Sequence, residues 1–562
     1  MGYFIIFTVS TLVCVILLSS GNFFNNIILK RSKKNFFELL IFGIIFLSFL
    51  ALVINFFFSL NSILNLIFII FPVLYFFLID KSNYKSELIK ILIVSTLVVI
   101  LISLENTNRP DAGLYHLPYI NILNENNLII GVTNLHFRYG HTSILQYSSA
   151  IFNNIIFGSN GILILPAIFF LSLVGYFFEK INNKKSDTLI RYISFIFLSY
   201  CLINMNRYSS WGNDDFASIF FLICIIESYK LYLNFNYKDL SKLTLLCSFA
   251  FFIKTFFIIS FLLPLYIFFK FYKKVRFVKI LNRINFFSLF FILIWVLKNF
   301  LNSSCLLFPL EFTCFYNYDW SLTNTAINHI GDISEAWAKD FPNHKQNIEF
   351  SDYISGFNWL ETWLNNHFKI ICKNILVLFA IIILSNFFDK IKISVIQKKF
   401  ISEFLIIIFI LCILWFLKFP LLRFGEGFLV SFFTLLFLYL KINNINKIYY
   451  KNYKNIFISL LIFIVLSKNM IRIYENYHFK YIDYPWPKKN SYSKLNKLNE
   501  YNKIMKNGEI IYYVPKNENS LCMYGKAPCA AVQINKYFFK NYDFVINKDQ
   551  IFIFDSYYLT NK

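Results

Sequence analysis

Residues 36–57 read FFELLIFGIIFLSFLALVINFF, an apolar run in which Glu38 is the single charged side chain. A helix rises about 1.5 Å per residue, so a run of this length crosses the ~30 Å hydrocarbon core of a bilayer. Runs of the same character recur from residue 3 to residue 467. The sequence therefore predicts an all-α polytopic membrane protein and excludes a soluble globular domain, a disordered chain and an outer-membrane barrel.

The composition agrees with this prediction. Hydrophobic residues make up 57% of the chain and charged residues 15%, against roughly 25% charged residues in soluble domains. The net charge of +23 comes from Lys and Arg that concentrate in alternate short loops between apolar runs. This pattern is typical of the positive-inside rule, and we expect no nucleic-acid partner.

Fourteen membrane spans are predicted. They lie near 3–20, 36–57, 63–79, 91–104, 162–178, 192–205, 216–229, 241–253, 256–270, 284–297, 370–388, 401–417, 428–441 and 455–467. The run 241–269 is either one kinked helix or a hairpin broken at Lys254. Because the basic loops are expected in the cytoplasm, both termini are predicted outside a cytoplasmic (inner) membrane.

This topology divides the chain into three parts. They are additional N-terminal transmembrane helices at 1–90, a transmembrane core at 91–469 with outer loops at 105–161 and 298–369, and an extracytoplasmic C-terminal domain at 470–562. The last part is polar, with strand-like runs at Glu509–Val514 and Phe544–Phe554, and is predicted to be a small α+β unit.

Two cysteine pairs, Cys305/Cys314 and Cys522/Cys529, fall in the predicted outer segments. Disulfides belong in oxidising compartments, so these pairs and the topology support each other. Zinc is the alternative, but CxxC spacing and nearby histidines are missing. The other six cysteines lie in or beside spans and are expected to act as small apolar residues.

The stretch 109–118, RPDAGLYHLP, directly follows the fourth span. It contains Arg109, Asp111, Tyr115 and His116, and His136, Arg138 and His141 follow shortly afterwards. Charged groups beside hydrocarbon are costly unless they are paired or used. The functional interpretation is an active-site loop in which Asp111 is a general base or substrate anchor. The alternative is an interfacial helix whose charges face water.

Asp214 and Asp215 end the short outer loop that precedes the seventh span. Adjacent carboxylates suit Mg²⁺ or Mn²⁺, which prefer oxygen ligands. They could equally hold substrate hydroxyls, or act as a helix cap.

Several cations lie at the outer ends of spans, of which Lys254 and Arg423 are the strongest candidates for phosphate contacts. Arg423 follows a helix-breaking segment at Pro420 and can bind phosphate in a bidentate manner. Snorkelling of Lys254 to the interface is the alternative. Tryptophans at 320, 337, 359 and 363 suit a membrane-interface belt or a stacking platform for sugar rings. Common nucleotide, serine-hydrolase and zinc-protease motifs are missing.

These features resemble the GT-C superfamily of polytopic membrane glycosyltransferases. In that superfamily one carboxylate lies in the first large outer loop and a second acidic motif in a later one, positions matched here by Asp111 and by Asp214/Asp215. Three spans precede the helix that leads to Asp111, whereas the superfamily usually has one. The same motifs, with Pro420–Gly425 and Cys522–Cys529, also resemble an uncharacterised family of bacterial multi-spanning membrane proteins.

The resemblance implies an inverting sugar transfer from a polyprenyl-phosphate-linked donor, embedded among membrane lipids, to a glycan, lipid or protein acceptor of the cell envelope. Asp111 would act as base, with His116 beside it. Arg109, Tyr115, Arg138 and His141 would bind substrate. Asp214 and Asp215 would hold a metal or the donor, and Lys254 and Arg423 would stabilise the leaving phosphate.

Three other classes compete with this interpretation. A lipid-linked glycan polymerase or ligase would rely on arginine and histidine in an outer loop, for which Arg138, His136 and His141 are candidates. A transporter or flippase of glycan precursors would need polar residues through the mid-membrane, and these are not evident. A non-enzymatic scaffold would tolerate substitution of Asp111. The sequence does not indicate the oligomeric state.

Overall fold

The computed structural model describes residues 2–30, 35–61, 63–79, 84–102, 111–154, 156–157, 160–183, 185–205, 213–274, 282–344, 348–385, 393–441, 454–478, 501–506, 509–516 and 521–530. The described chain is mostly helical. Its helices are α1 Gly2–Phe24, α2 Phe36–Asn55, α3 Ile63–Ile79, α4 Tyr84–Ile102, α5 Leu117–Glu125, α6 Ile144–Ile151, α7 Asn160–Asn182, α8 Thr188–Asn204, α9 Asn213–Leu233, α10 Tyr237–Ile253, α11 Leu262–Lys270, α12 Arg283–Ser303, α13 Asn324–Ala338, α14 Phe350–Ile354, α15 Leu360–Trp363, α16 Lys369–Ser385, α17 Val395–Lys418, α18 Leu422–Lys441 and α19 Lys454–His478.

Eight helical segments of the described chain are long and apolar enough to cross a membrane. They are Tyr3–Leu29, Phe36–Asn55, Gly161–Asn182, Asn213–Leu233, Arg283–Ser303, Leu360–Ser385, Val395–Lys418 and Leu422–Leu440. Three shorter apolar helices accompany them, at Asn65–Leu78, Thr188–Asn204 and Thr255–Lys270. The chain is therefore a multi-pass membrane protein by length and composition, and the count of fourteen spans stays a prediction.

The N-terminal helices α1 and α2 cross at two glycines. A Cβ atom on Gly21 would collide with the backbone carbonyl of Leu39, and one on Gly43 with that of Leu17. Each glycine thus allows the neighbouring backbone to approach closely, as small residues do between membrane helices. Both helices also pack against α7, so the first two helices form one bundle with the rest of the membrane part.

The centre of the bundle is made of phenylalanine rings on α7, α9, α10 and α18. Phe169 lies 5.1 Å from Phe216, and Phe221 lies 4.7 Å from Phe428, between ring centroids. Offset and edge-to-face pairs at such distances are favourable beyond the area that they bury. This packing fixes α9, whose first turn carries Asp214 and Asp215.

At Lys254 the chain folds back on itself. Helix α10 ends at Ile253, Lys254 is extended, and a 3₁₀ segment over Thr255–Phe261 leads into α11. The Cys247 thiol donates to the carbonyl of Ser260 at 3.5 Å, across the break. The structure therefore contains the hairpin rather than one kinked helix, and the hairpin places Lys254 at a helix end.

The other end of α9 lies in a buried network of opposite charges. Glu227 accepts a hydrogen bond from Lys230 at 2.5 Å and lies 3.2 Å from the Lys242 amine, which also contacts Glu38. Asp214 and Glu227 are thirteen helical residues apart, which is about 20 Å along the axis. The two charged clusters of α9 thus lie at opposite ends of one membrane helix.

Both predicted cysteine pairs form disulfides, Cys305–Cys314 and Cys522–Cys529, and the other six cysteines are free. Both disulfides lie beside the segment 111–141, at the end of the bundle that carries Asp214. We call this end the disulfide face.

A small two-stranded antiparallel sheet supplies the β structure of the described residues. Its strands are β1 Tyr501–Lys506 and β2 Glu509–Pro515. The predicted strand at Glu509–Val514 is confirmed, whereas β1 was not predicted from the sequence. The predicted strand at Phe544–Phe554 lies outside the described residues.

Candidate functional site

The Asp111 loop forms a widened helical turn at the disulfide face. Residues Ala112–His116 are π-helical and continue directly into α5, whose second residue is Pro118. Single π-helical turns occur frequently at functional sites because they redirect side chains. Here the turn brings the Tyr115 and His116 rings to 4.2 Å between centroids. The predicted Arg109 lies outside the described residues.

His116 is held by Gln146 of helix α6. The His116 Nδ1 atom lies 3.2 Å from the Gln146 Nε2 atom, and the His116 residue is 5% exposed. Burial lowers the pKa of His116 to about 4, although the nearby Asp111 and Asp214 carboxylates act in the opposite direction. His116 is therefore neutral at physiological pH.

Arg138 and His141 come from a 3₁₀ turn over Phe137–Gly140. The Arg138 guanidinium carbon lies 5.4 Å from the centre of the Tyr115 ring, within cation–π range. The His141 ring contacts Phe308 at 5.2 Å, and burial, followed by the charge of Arg138, lowers the pKa of His141 to about 3. The turn thus places one permanent cation and one neutral histidine beside the Asp111 loop.

Asp214 lies between the two cations that were predicted from the sequence to contact phosphate, Lys254 and Arg423. Its Oδ1 atom lies 3.0 Å from the Lys254 amine, and its Oδ2 atom lies 3.5 Å from the Arg423 Nε atom. Both cations also face the Phe424 ring, at 4.3 Å from the Lys254 amine and 5.1 Å from the Arg423 guanidinium carbon. The hairpin break and the turn before α18 therefore meet at the first turn of α9.

Electrostatic interactions join the Asp111 loop to this ion pair. Burial raises the pKa of the Tyr115 hydroxyl, the negative charges of Asp111 and Asp214 raise it further, and Arg138 opposes them. The pKa of His116 responds to the same carboxylates and to Lys254. Eight of the predicted site residues thus form one group, which we call the charged cluster: Asp111, Tyr115, His116, Arg138, His141, Asp214, Lys254 and Arg423.

The donor set of the charged cluster does not fit a divalent cation. The Asp214 carboxylate already faces two positive side chains, and a metal ion there would face repulsion from both. Among the residues that the structure describes, no group of three or more His, Cys, Asp or Glu side chains could hold a metal ion. Asp215 is buried beside Asp214. The Mg²⁺ or Mn²⁺ site at Asp214 and Asp215 stays a prediction that this geometry does not favour.

Two tryptophans hold the turn that carries Arg423. The Trp363 indole N–H donates to the carbonyl of Pro420 at 2.8 Å, and that of Trp415 donates to Leu421 at 2.9 Å. Trp320, Trp359 and Trp363 are buried in the protein, so the prediction of an interface belt or an open sugar platform is wrong for these three. The sequence alone does not distinguish a buried tryptophan from one at the surface. Trp337 is exposed.

The loop closed by the Cys522–Cys529 disulfide covers the Asp111 loop, and we call it the disulfide strap. The Met523 N–H donates to the Gly113 carbonyl at 2.9 Å, and Asn121 donates to the Gly525 carbonyl at 3.0 Å. The Tyr139 hydroxyl donates to the Cys529 carbonyl at 2.6 Å. The sequence did not indicate these partners.

Sequence comparison identifies a family without naming a reaction. A search for similar curated proteins and for similar solved structures finds no match. A family model described as "Domain of unknown function (DUF8201)" matches residues 3–430, a range that includes every member of the charged cluster. The chain belongs to this DUF8201 family.

Proposed function

We propose that the protein is a membrane glycosyltransferase that moves a sugar from a polyprenyl-phosphate-linked donor to a cell-envelope glycan, lipid or protein acceptor. The observation that supports the proposal is the charged cluster itself. It places a carboxylate, Asp111, in the same electrostatic group as two cations, Lys254 and Arg423, at the ends of membrane helices. Sugar transfer from a lipid phosphate requires both kinds of group at a membrane surface.

Asp111 suits the role of general base. In the described part of the chain its carboxylate has neither a salt bridge nor a side-chain hydrogen bond, and it is partly exposed. A carboxylate in this position can accept the proton of an attacking acceptor hydroxyl as the new glycosidic bond forms. Asp214, in contrast, is occupied by two cations.

Lys254 and Arg423 suit the leaving phosphate. Each side chain is 36% exposed and keeps donors beyond those that face Asp214. When the bond between the sugar and the phosphate breaks, negative charge builds up on the phosphate oxygens, and fixed cations stabilise it. Asp214 would hold both cations in place before the substrate arrives.

The two disulfides support a location outside the cytoplasm. Disulfides persist in oxidising compartments, and both lie at the disulfide face, beside the charged cluster. The basic loops of the sequence would then lie on the cytoplasmic side. We therefore propose the outer face of the cytoplasmic membrane as the place of reaction.

A transporter or flippase is the less favoured alternative. Between Asp215 and Glu227 helix α9 carries no charged residue, and its charged clusters lie at its two ends. A transport path would need polar groups near mid-membrane. A polymerase or ligase would act on the same class of substrate. The position of Arg138 beside Tyr115 supports this reaction as the second candidate function.

The proposal is tested with Asp111→Asn. Protein in lipid nanodiscs is incubated with a set of polyprenyl-phosphate sugars and an envelope extract, and sugar transfer is followed by mass spectrometry. We expect the wild-type protein and the control Asp352→Asn, a substitution at an exposed position of helix α14, to transfer sugar. We expect Asp111→Asn to lose transfer at unchanged expression and thermal stability. Retained transfer by Asp111→Asn would overturn the assignment of the base.

A further inference from the structure

The side chain of Gln146 has a fixed orientation, because it belongs to a capping box at the start of α6. The Ser143 N–H donates to the Gln146 Oε1 atom at 2.9 Å, and the Ser143 hydroxyl accepts from the Leu145 N–H at 3.3 Å. An amide oxygen only accepts, so the orientation of the amide follows from this bond. The Gln146 Nε2 atom, which only donates, then faces the Nδ1 atom of His116 at 3.2 Å.

This contact decides the tautomer of His116. Because Gln146 donates, the Nδ1 atom must accept and is unprotonated, so the proton of the neutral ring is on Nε2. An imidazolium would set an N–H of His116 against an N–H of Gln146 inside the protein. Such a clash leaves two buried donors without an acceptor, which is costly.

The remaining ring nitrogen is open to a ligand. Within the described residues, the Nε2 atom of His116 has no hydrogen-bond partner, although the residue is 95% buried, being 5% exposed. The ring lies in the electrostatic field of Asp111, Asp214 and Lys254. This N–H donor without a protein partner lies in a group of two carboxylates, Asp111 and Asp214, and two cations, Lys254 and Arg138. It can donate to an anionic oxygen that the cations attract.

We propose that Gln146 is a positioning residue that holds His116 as a neutral Nε2–H donor, and that this donor binds a phosphate oxygen of the substrate. His116 then binds the phosphate and does not relay the acceptor proton. The identity of the phosphate, as the lipid-linked leaving group, rests on the proposed function. The tautomer rests on the hydrogen bonds alone.

His136 provides an internal comparison. Its Nδ1 atom accepts from the Arg138 backbone N–H at 3.1 Å. A backbone amide only donates, so His136 has the same tautomer as His116. The two rings differ in what fixes them, because His136 is held by the backbone and His116 by a side chain that can be replaced.

The tautomer is tested by ¹⁵N solid-state NMR of histidine-labelled protein in bilayers. The His116 resonances are assigned by their loss in His116→Phe. We expect an unprotonated Nδ1 and a protonated Nε2 in the wild-type protein at pH 7. In Gln146→Glu, whose carboxylate still caps α6 but accepts from the ring, we expect Nδ1 to become protonated, while His136 stays unchanged. A protonated Nδ1 in the wild-type protein overturns the proposal, and so does an unchanged His116 ring in Gln146→Glu.

The phosphate contact is tested with polyprenyl phosphate and, separately, inorganic phosphate. We expect either probe to shift the His116 Nε2 resonance, and His116→Phe to bind polyprenyl phosphate roughly 10- to 100-fold more weakly, as for one hydrogen bond to a charged group. No shift with either probe, or unchanged affinity in His116→Phe, overturns the phosphate contact. Transfer retained by Asp111→Asn would refute the proposed base and leave these spectra as they are, so the two proposals fail separately.

Discussion

Opening the Cys522–Cys529 disulfide should loosen the disulfide strap without releasing it. The two cysteines are seven residues apart, and closing a loop of that size is worth about 2.4 kcal/mol of chain entropy. Hydrogen bonds from Met523, Asn121, Tyr139 and Tyr524 are among those that hold the strap in the described part of the chain. At about 1 kcal/mol each they contribute about 4 kcal/mol, which exceeds the contribution of the disulfide.

The expected effect is a rise in amide exchange over the strap and the loop beneath it. The double variant Cys522→Ser/Cys529→Ser should exchange up to roughly 60-fold faster in peptides that cover 111–125 and 521–530, because local opening becomes easier by the free energy of loop closure. Hydrogen–deuterium exchange of the protein in nanodiscs, read by mass spectrometry, measures this directly.

Cys305→Ser/Cys314→Ser is the matched control, since it opens the other disulfide and should leave those two peptides at wild-type protection. Two results would refute the reasoning. Protection of 111–125 within threefold of the wild-type value would mean that the disulfide does not stabilise the strap. Complete loss of protection would mean that the hydrogen bonds contribute nothing without it.

Two further predictions concern stability. Lys242→Met should destabilise the protein by about 3–5 kcal/mol, because it removes the cation shared by the buried Glu227 and the partly buried Glu38. Lys418→Met, at a side chain that is 64% exposed, should cost less than about 1 kcal/mol. Equal shifts in unfolding temperature would contradict this. Buried His116 and His141 have pKa values of about 4 and about 3, below the ordinary value near 6.5, so the unfolded state binds protons first. Stability should be retained above about pH 6.5 and fall as the pH drops towards 4, and an unfolding temperature that rises on acidification from pH 7.5 to 5 would contradict this.

Helix positions were predictable because a membrane span has a local signature. Every predicted apolar run coincides with a helix of the structure, since backbone groups in hydrocarbon must bond within their own segment. The break at Lys254 was visible because a charged residue interrupts the apolar run there. What the sequence left open there, a kink or a hairpin, depends on contacts such as that between Cys247 and Ser260.

The members of the charged cluster were predictable by residue type, but their partners were not. Asp214, Lys254 and Arg423 were each identified as charges beside hydrocarbon, yet the sequence assigned Asp214 to a metal, to substrate hydroxyls or to a helix cap, and not to these two cations. The structure places Lys254 and Arg423 against that carboxylate from two different turns. Likewise, the capping box of Ser143 and Gln146 is a local pattern, whereas its contact with His116 joins residues thirty positions apart.

The pairing of Asp214 also bears on the chemistry of the site. A metal ion would compete with Lys254 and Arg423 for the one carboxylate of Asp214. Either the metal ion or the two side chains could supply the positive charge that a phosphate needs. Lys254 and Arg423 are held where they are, Lys254 by the hairpin and Arg423 by a turn that Trp363 and Trp415 fix. A metal at Asp214 would have to displace both. In the proposed transfer, the protein's own cations would stabilise the leaving phosphate, with Asp214 as the counter-charge that keeps them in place.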